Sequence, residues 1–101
     1  MSTFVLVHGA WHGGWCWRWV CPNLERAGHC VYTPTMTGLG ERAHLLSSDV
    51  TMDTVVEDIA GGLVFEDLYD VILVGHSFAG PVISGAAERE PSRIERLVYL
   101  D

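Results

Sequence analysis

The 101-residue chain contains no lysine; six arginines carry all of its basic charge, against thirteen acidic residues, for a net charge of −7. Nucleic acids and anionic membrane surfaces both require a basic footprint, so neither is expected as a partner. Cysteine is scarce as well. Cys16, Cys21 and Cys30 are odd in number and form no C-x-x-C pair, so neither a disulfide framework nor a zinc site is indicated. Reduced thiols fit a cytoplasmic protein. The apolar run near the N-terminus is about four residues long and has no basic segment before it, so no secretory signal is expected. No apolar stretch approaches the length of a membrane span. Repeats and low-complexity segments are missing too.

What remains has the composition of a single globular α/β domain: 49% hydrophobic and 19% charged residues. Phe4-Val5-Leu6-Val7 and Val71-Ile72-Leu73-Val74 are continuous apolar runs, the pattern of strands buried on both faces. Cys30 to Thr33 and Arg96 to Leu100 read as two further strands. Between them the spacing predicts a helix from about Trp15 to Ala27, kinked or split at Pro22 and stopped by Gly28. In that helix Trp15 and Trp19 are expected to pack on the sheet. Residues 35–50 read as a loop. A second helix starts after Thr51 as N-cap, with Met52, Val55, Val56, Ile59 and Leu63 at helical spacing. Gly61 and Gly62 weaken its last turns. A third helix runs from Phe78 to about Arg89.

Alternating strands and helices predict a parallel sheet with helices on both faces, a three-layer α/β/α arrangement. The expected strand order is second, first, third, fourth. That order reverses between the first and third strands, and ligands bind beyond the strand ends at such a point. The loops after Val7 and Val74 should therefore be neighbours.

The third strand turns abruptly into a helix at Gly75-His76-Ser77-Phe78-Ala79-Gly80. A strand–turn–helix junction with serine at its apex and small residues two positions to each side is the setting of a nucleophile elbow. Ala79 stands where the usual pattern has glycine. The bland alternative is a serine that merely caps the helix. As a nucleophile, Ser77 would need a base, a group to orient that base, and donors for an oxyanion. The backbone N–H groups of Phe78 and Ala10 are the candidate donors, and Gly9 lets the second loop come close.

No histidine follows Ser77; the five are His8, His12, His29, His44 and His76. His76 adjoins Ser77, but neighbouring side chains diverge at such a turn, which suits it to substrate contact better than to proton abstraction. His8 and His12 are assigned to shaping the oxyanion loop; as a metal pair they have no third ligand, and no metal or other cofactor is expected. His29 and His44 read as surface or packing residues. Trp11, beside the oxyanion loop, is a candidate substrate contact. Asp101 ends the fourth strand, where a triad acid or a simple turn residue could stand. The Gly38-Leu39-Gly40 turn lacks the Lys-Ser/Thr of a phosphate loop and joins no strand to a helix.

Five stretches, Phe4–Trp17 (FVLVHGAWHGGWCW), Leu24–Val31 (LERAGHCV), Thr37–Leu45 (TGLGERAHL), Val71–Gly80 (VILVGHSFAG) and Leu97–Asp101 (LVYLD), make the chain resemble the N-terminal half of an α/β-hydrolase. It is most similar to bacterial esterase-like members of the group that includes plant methylesterases and hydroxynitrile lyases. The resemblance implies carboxylic ester hydrolysis of a small-molecule substrate through an acyl-enzyme on Ser77, with Ala10 and Phe78 as oxyanion donors. It also implies that the acid, the histidine and most of the lid follow Asp101. Residues 1–101 are accordingly read as one partial domain, inactive alone. Similar lyases carry threonine after the first strand's final histidine, where this chain has Gly9, and use a lysine in the later half. A hydroxynitrile lyase and a non-catalytic binding protein of hydrolase fold are the alternatives.

Overall fold

The computed structural model describes all residues from Met1 to Asp101. Four strands, β1 (Thr3–Val7), β2 (Cys30–Tyr32), β3 (Val71–His76) and β4 (Ile94–Leu100), form one parallel sheet in the order β2-β1-β3-β4. This is the order expected from the alternation of strands and helices. β1 pairs on both sides, with Val5 opposite Tyr32 of β2 and Leu73 of β3.

Because side chains alternate along a strand, β1 and β3 feed two cores. Val5, Val7, Val71 and Leu73 point to the face covered by α2 (Met52–Phe65) and α3 (Ala79–Arg89). There they meet Ile59, Leu63 and Ile83, each 1% exposed or less. Full burial of such a side chain is worth about 1.5–3 kcal/mol. Leu6 and Val74 point the other way and pack with Trp17 and the segment that includes α1 (Cys21–Arg26). The two faces together make the three layers. A Cβ on Gly85 of α3 would lie 2.9 Å from Val56 Cγ2, so glycine there sets how closely α2 and α3 approach.

The first helical segment is split, as Pro22 led one to expect, but ahead of that residue: a 3₁₀ turn (Gly14–Trp17) precedes the short α1. Pro22 has no N–H and would clash with the carbonyl four residues back in a continuous helix; placed in the first turn of α1, it violates nothing. The break changes which tryptophan is buried. Trp17 is 9% exposed, whereas Trp15 and Trp19 are 45% and 78% exposed and do not pack on the sheet.

Thr51 caps α2 as read. Its Oγ1 accepts from the Thr54 N–H at 3.4 Å, while its own N–H donates to Thr54 Oγ1 at 3.0 Å. Gly61 and Gly62 do not end the helix, which continues to Phe65. Beyond it, Arg93 Nη1 donates to the carbonyls of Leu63 and Leu68, both at 3.1 Å, and so adds a second donor to a Leu63 carbonyl that already accepts from the Leu68 N–H at 2.9 Å. The stretch expected as a plain loop holds a 3₁₀ segment, Gly40–Leu45. β4 begins two residues earlier than expected, with a register shift that leaves Glu95 between the pairs Val71–Ile94 and Ile72–Arg96.

Candidate active site

β3 ends at His76 and α3 begins at Ala79, which leaves two residues to reverse the chain. Ser77 takes the turn with φ +55°, a left-handed backbone that costs a non-glycine residue about 1–3 kcal/mol. Three features hold it there. Its N–H donates to the Leu100 carbonyl at 2.9 Å, and its carbonyl accepts from the Gly80 N–H at 3.0 Å. Gly75 faces α3 so closely that a Cβ would stand 2.9 Å from the Ala79 carbonyl oxygen. Ala79 is fully buried, so its methyl is accommodated where the usual pattern has glycine. The Ser77 side chain is not a helix cap; no side chain caps α3. Ser77 itself is exposed at the apex.

The loop after β1 lies against this turn. A Cβ on Gly9 would come within 3.1 Å of both His76 Nδ1 and the His76 carbonyl oxygen, and within 3.4 Å of Ser77 Cβ. The two loops are thus neighbours, as the strand order requires. Ala10 and Phe78 line one cavity of about 290 Å³. Neither residue's N–H takes part in a backbone hydrogen bond. Ala10 and Phe78 thus share one cavity, and Phe78 directly follows the strained Ser77 turn; Ser77 itself is not among the residues that line it.

His8 fixes the first of these loops from inside. It is fully buried. Its Nε2 accepts from the Met36 N–H at 3.0 Å, so the proton sits on Nδ1 and is donated to the Gly9 carbonyl at 2.8 Å. Burial pushes its pKa below the ordinary value, an effect that Gly9 and Glu41 partly oppose. His8 is committed on both nitrogens and is not available as a base.

His12 and His76 have ring centroids 6.4 Å apart and line a second cavity of about 280 Å³ with Cys16, Trp17 and Leu100. Burial raises the Cys16 thiol above its ordinary range, which keeps it protonated. Trp11, also at positive φ (+67°), is 90% exposed in the loop after β1. His29 Nδ1 accepts from the Ser2 N–H at 3.0 Å, away from Ser77, and His44 is exposed. Asp101 follows β4 and is exposed. No three His, Cys, Asp or Glu side chains converge in a way that could hold a metal ion.

A polar brace that single-residue reading had missed fixes the far wall of the 290 Å³ cavity. Asp58 of α2 accepts from the Thr37 N–H at 2.6 Å and from its hydroxyl at 2.8 Å. Thr35 Oγ1 accepts from the Gly14 N–H at 2.8 Å and donates to Glu41 at 2.7 Å. That bond is the largest cause of a Glu41 pKa below the ordinary carboxylate value. Arg42 donates to the Thr35 carbonyl at 2.9 Å. The one advance signal was composition, a polar cluster within an otherwise loop-like stretch.

A sequence model of the alpha/beta hydrolase family matches residues 4–101. The chain belongs to that family. A carbendazim-hydrolysing esterase of Nocardioides sp. is 56% identical over 101 residues, covering all of this hydrolase chain and 42% of its own. An alpha-hydroxynitrile lyase of Arabidopsis thaliana is 37% identical over 99 residues, covering 97% of this chain and 38% of its own. Among solved structures, an extracellular alpha/beta-hydrolase from Paenibacillus, described as sharing structural and functional homology with tobacco salicylic acid binding protein 2, superposes with a TM-score of 0.90. It is 36% identical, and the match covers 98% of this chain and 40% of that one. The hydrolase chain thus spans about two-fifths of the length of these relatives. No helix is long and apolar enough to cross a membrane. One relative is named as extracellular, so the likeness does not fix the compartment expected from the cysteines.

Proposed function

We propose that this alpha/beta hydrolase contributes the nucleophile and oxyanion site of a serine esterase acting on a small-molecule carboxylic ester. The observation that carries the reading is the shared cavity wall of Ala10 and Phe78 beside the strained Ser77 turn. Ser77 Oγ attacks the ester carbonyl carbon as a base takes its proton. The carbonyl oxygen becomes an oxyanion held by the Ala10 and Phe78 N–H groups, each worth about 3–4 kcal/mol to the transition state. Collapse expels the alcohol, which regains the proton, and leaves an acyl group on Ser77 that water then removes. In the serine–acid–histidine order of this family the base follows the nucleophile, no histidine follows Ser77 within residues 1–101, and His8 is committed, so the base is assigned to the part of the fold beyond these residues. Gly9 permits the close approach of the loop, and Trp11 and His76 flank the bound ester. Gly9 favours this reading over a lyase: the threonine of similar lyases would crowd the His76 carbonyl.

The test is a chimera in which residues 1–101 replace the matching segment of the carbendazim-hydrolysing relative. It is expected to hydrolyse p-nitrophenyl acetate, with Ser77→Ala reducing turnover on the order of 10⁶-fold. The 101-residue chain alone is expected to show negligible turnover. Serine-independent hydrolysis by the chimera, or enzyme-like rates from the chain alone, would show that the machinery is misassigned.

A further inference from the structure

We propose that Thr35 and Glu41 are positioning residues for the Ala10 N–H: they anchor the far end of the loop that carries this donor and so set its aim at the oxyanion. The proposal rests on the serine esterase reading and names what holds one of its two donors.

The loop does not hold itself. Within residues 8–14 the backbone closes one hydrogen bond, a long one, from the His12 N–H to the Gly9 carbonyl at 3.3 Å. Inside that turn Trp11 takes φ +67°, a left-handed backbone that a bulky residue keeps only where its surroundings impose it. The Ala10 N–H makes no backbone hydrogen bond. Its direction is therefore set at the two ends of the loop.

Both ends are fixed by one segment, residues 35–42. At the near end the Met36 N–H donates to His8 Nε2 at 3.0 Å. At the far end the Gly14 N–H donates to Thr35 Oγ1 at 2.8 Å, and the Thr35 hydroxyl donates to Glu41 Oε2 at 2.7 Å. The second of these bonds directs the first. A hydroxyl hydrogen rotates to suit whichever acceptor is near. Glu41, whose pKa this bond holds below the ordinary carboxylate value, is ionised at neutral pH and can only accept. It takes the Thr35 hydrogen and leaves a lone pair turned to Gly14. Packing confirms the fit of the two segments. A Cβ on Gly14 would collide with the Thr35 carbonyl oxygen, and one on Gly40 would stand 2.9 Å from Gly13 Cα. Arg42 Nη1 donates to the same Thr35 carbonyl at 2.9 Å. Thr35 is 8% exposed, which leaves little room for water to replace its hydroxyl.

The other donor does not depend on this anchor. Phe78 stands at the start of α3, on a turn tied to β4 through the Ser77 N–H and the Leu100 carbonyl. Loss of the anchor should therefore disturb Ala10 and spare Phe78.

Two measurements test the assignment, and the first needs no turnover. In NMR relaxation of the isotope-labelled 101-residue protein, Thr35→Val is expected to lower the order parameters of the Ala10 and Trp11 amides from about 0.85 to below about 0.6, with Phe78 unchanged. Thr35→Ser, which keeps the hydroxyl, should match the wild type. In the chimera, Thr35→Val should lower kcat for p-nitrophenyl acetate about tenfold or more at unchanged KM, since a misplacement of about 1 Å can cost on the order of 10²-fold. Thr35→Ser should restore it. Glu41 is exposed, so folding is not at stake there. Glu41→Ala should lower kcat in the same way, and Glu41→Gln, which keeps an oxygen for the Thr35 hydroxyl, should not. Arg93→Met, which strips donors from the Leu63 and Leu68 carbonyls and touches neither segment, controls for lost stability and should keep kcat. Unchanged Ala10 order parameters in both Thr35→Val and Glu41→Ala, equal changes at Ala10 and Phe78, or a matching loss of kcat in Arg93→Met would overturn the assignment. A wild-type chimera that hydrolyses no ester, with the Ala10 changes present, would overturn the esterase reading and leave the anchor standing.

Discussion

A methyl group on Gly9 would stand 3.4 Å from Ser77 Cβ and 3.1 Å from the His76 carbonyl oxygen. The loop after β1 and the turn after β3 are in close contact, and the contact has no room for a branched side chain. In the chimera, Gly9→Thr should lower kcat for p-nitrophenyl acetate at least tenfold by pushing the Ala10 N–H away from the oxyanion, since misplacement by about 1 Å can cost on the order of 10²-fold. Gly9→Ala should fall between. An unchanged kcat in Gly9→Thr would mean that the loop yields without disturbing the donors.

The left-handed φ of Ser77 separates stability from chemistry. Both Ser77→Gly and Ser77→Ala remove the hydroxyl, but only glycine is at ease at φ +55°. Urea unfolding should find Ser77→Gly more stable than Ser77→Ala by about 1 kcal/mol. Equal midpoints with equal slopes would show that the turn relaxes in the variants and stores no strain.

His8 gives the fold a dependence on pH. Its pKa lies below the ordinary 6.5, chiefly through burial, with His12 also lowering it and Gly9 and Glu41 raising it. The unfolded chain therefore binds this proton more readily than the folded one. The stabilisation is complete above about pH 6.5 and is lost as pH falls through the folded value. Protonation would also set an N–H against the Met36 N–H. Glu41, likewise lowered, adds a loss in the same direction that begins lower, below its ordinary 4.5. Urea midpoints should fall between pH 7 and pH 5, and His8→Gln should flatten that part of the curve. A wild-type profile level across this range would contradict the assignment.

Asp58→Ala should strip the Thr37 N–H and hydroxyl of their acceptor at once. Leaving a partly buried N–H unpaired costs about 1–3 kcal/mol. Urea unfolding of the variant should show this loss, and an unchanged midpoint would show that Thr37 finds another acceptor.

Much of this architecture was legible in the residues. Two continuous apolar runs marked β1 and β3, and the alternation with helices gave the sheet order, because a buried parallel strand leaves a signature that few other elements share. The elbow was visible in the small residues around Ser77. Burial of Trp17 was not, since an α-helical period was applied to Trp15–Trp19, where the chain makes a 3₁₀ turn that ends at Trp17. The brace of Thr35, Thr37, Glu41 and Asp58 was also hidden: each residue looks like a solvated polar group until the loop folds back on α2 and the Gly13–Gly14 segment. Arg93 was invisible for the same reason, as its carbonyl acceptors lie some 25–30 positions away.

The amide of Ser77 is tied to Leu100, the last residue of β4, and β4 is the sheet's outermost strand on that side. The bond closes one rigid link between β4, β3 and the turn that follows β3. Movement of the end of β4 is therefore movement of the Ser77 turn, and a label on Leu100 would report it.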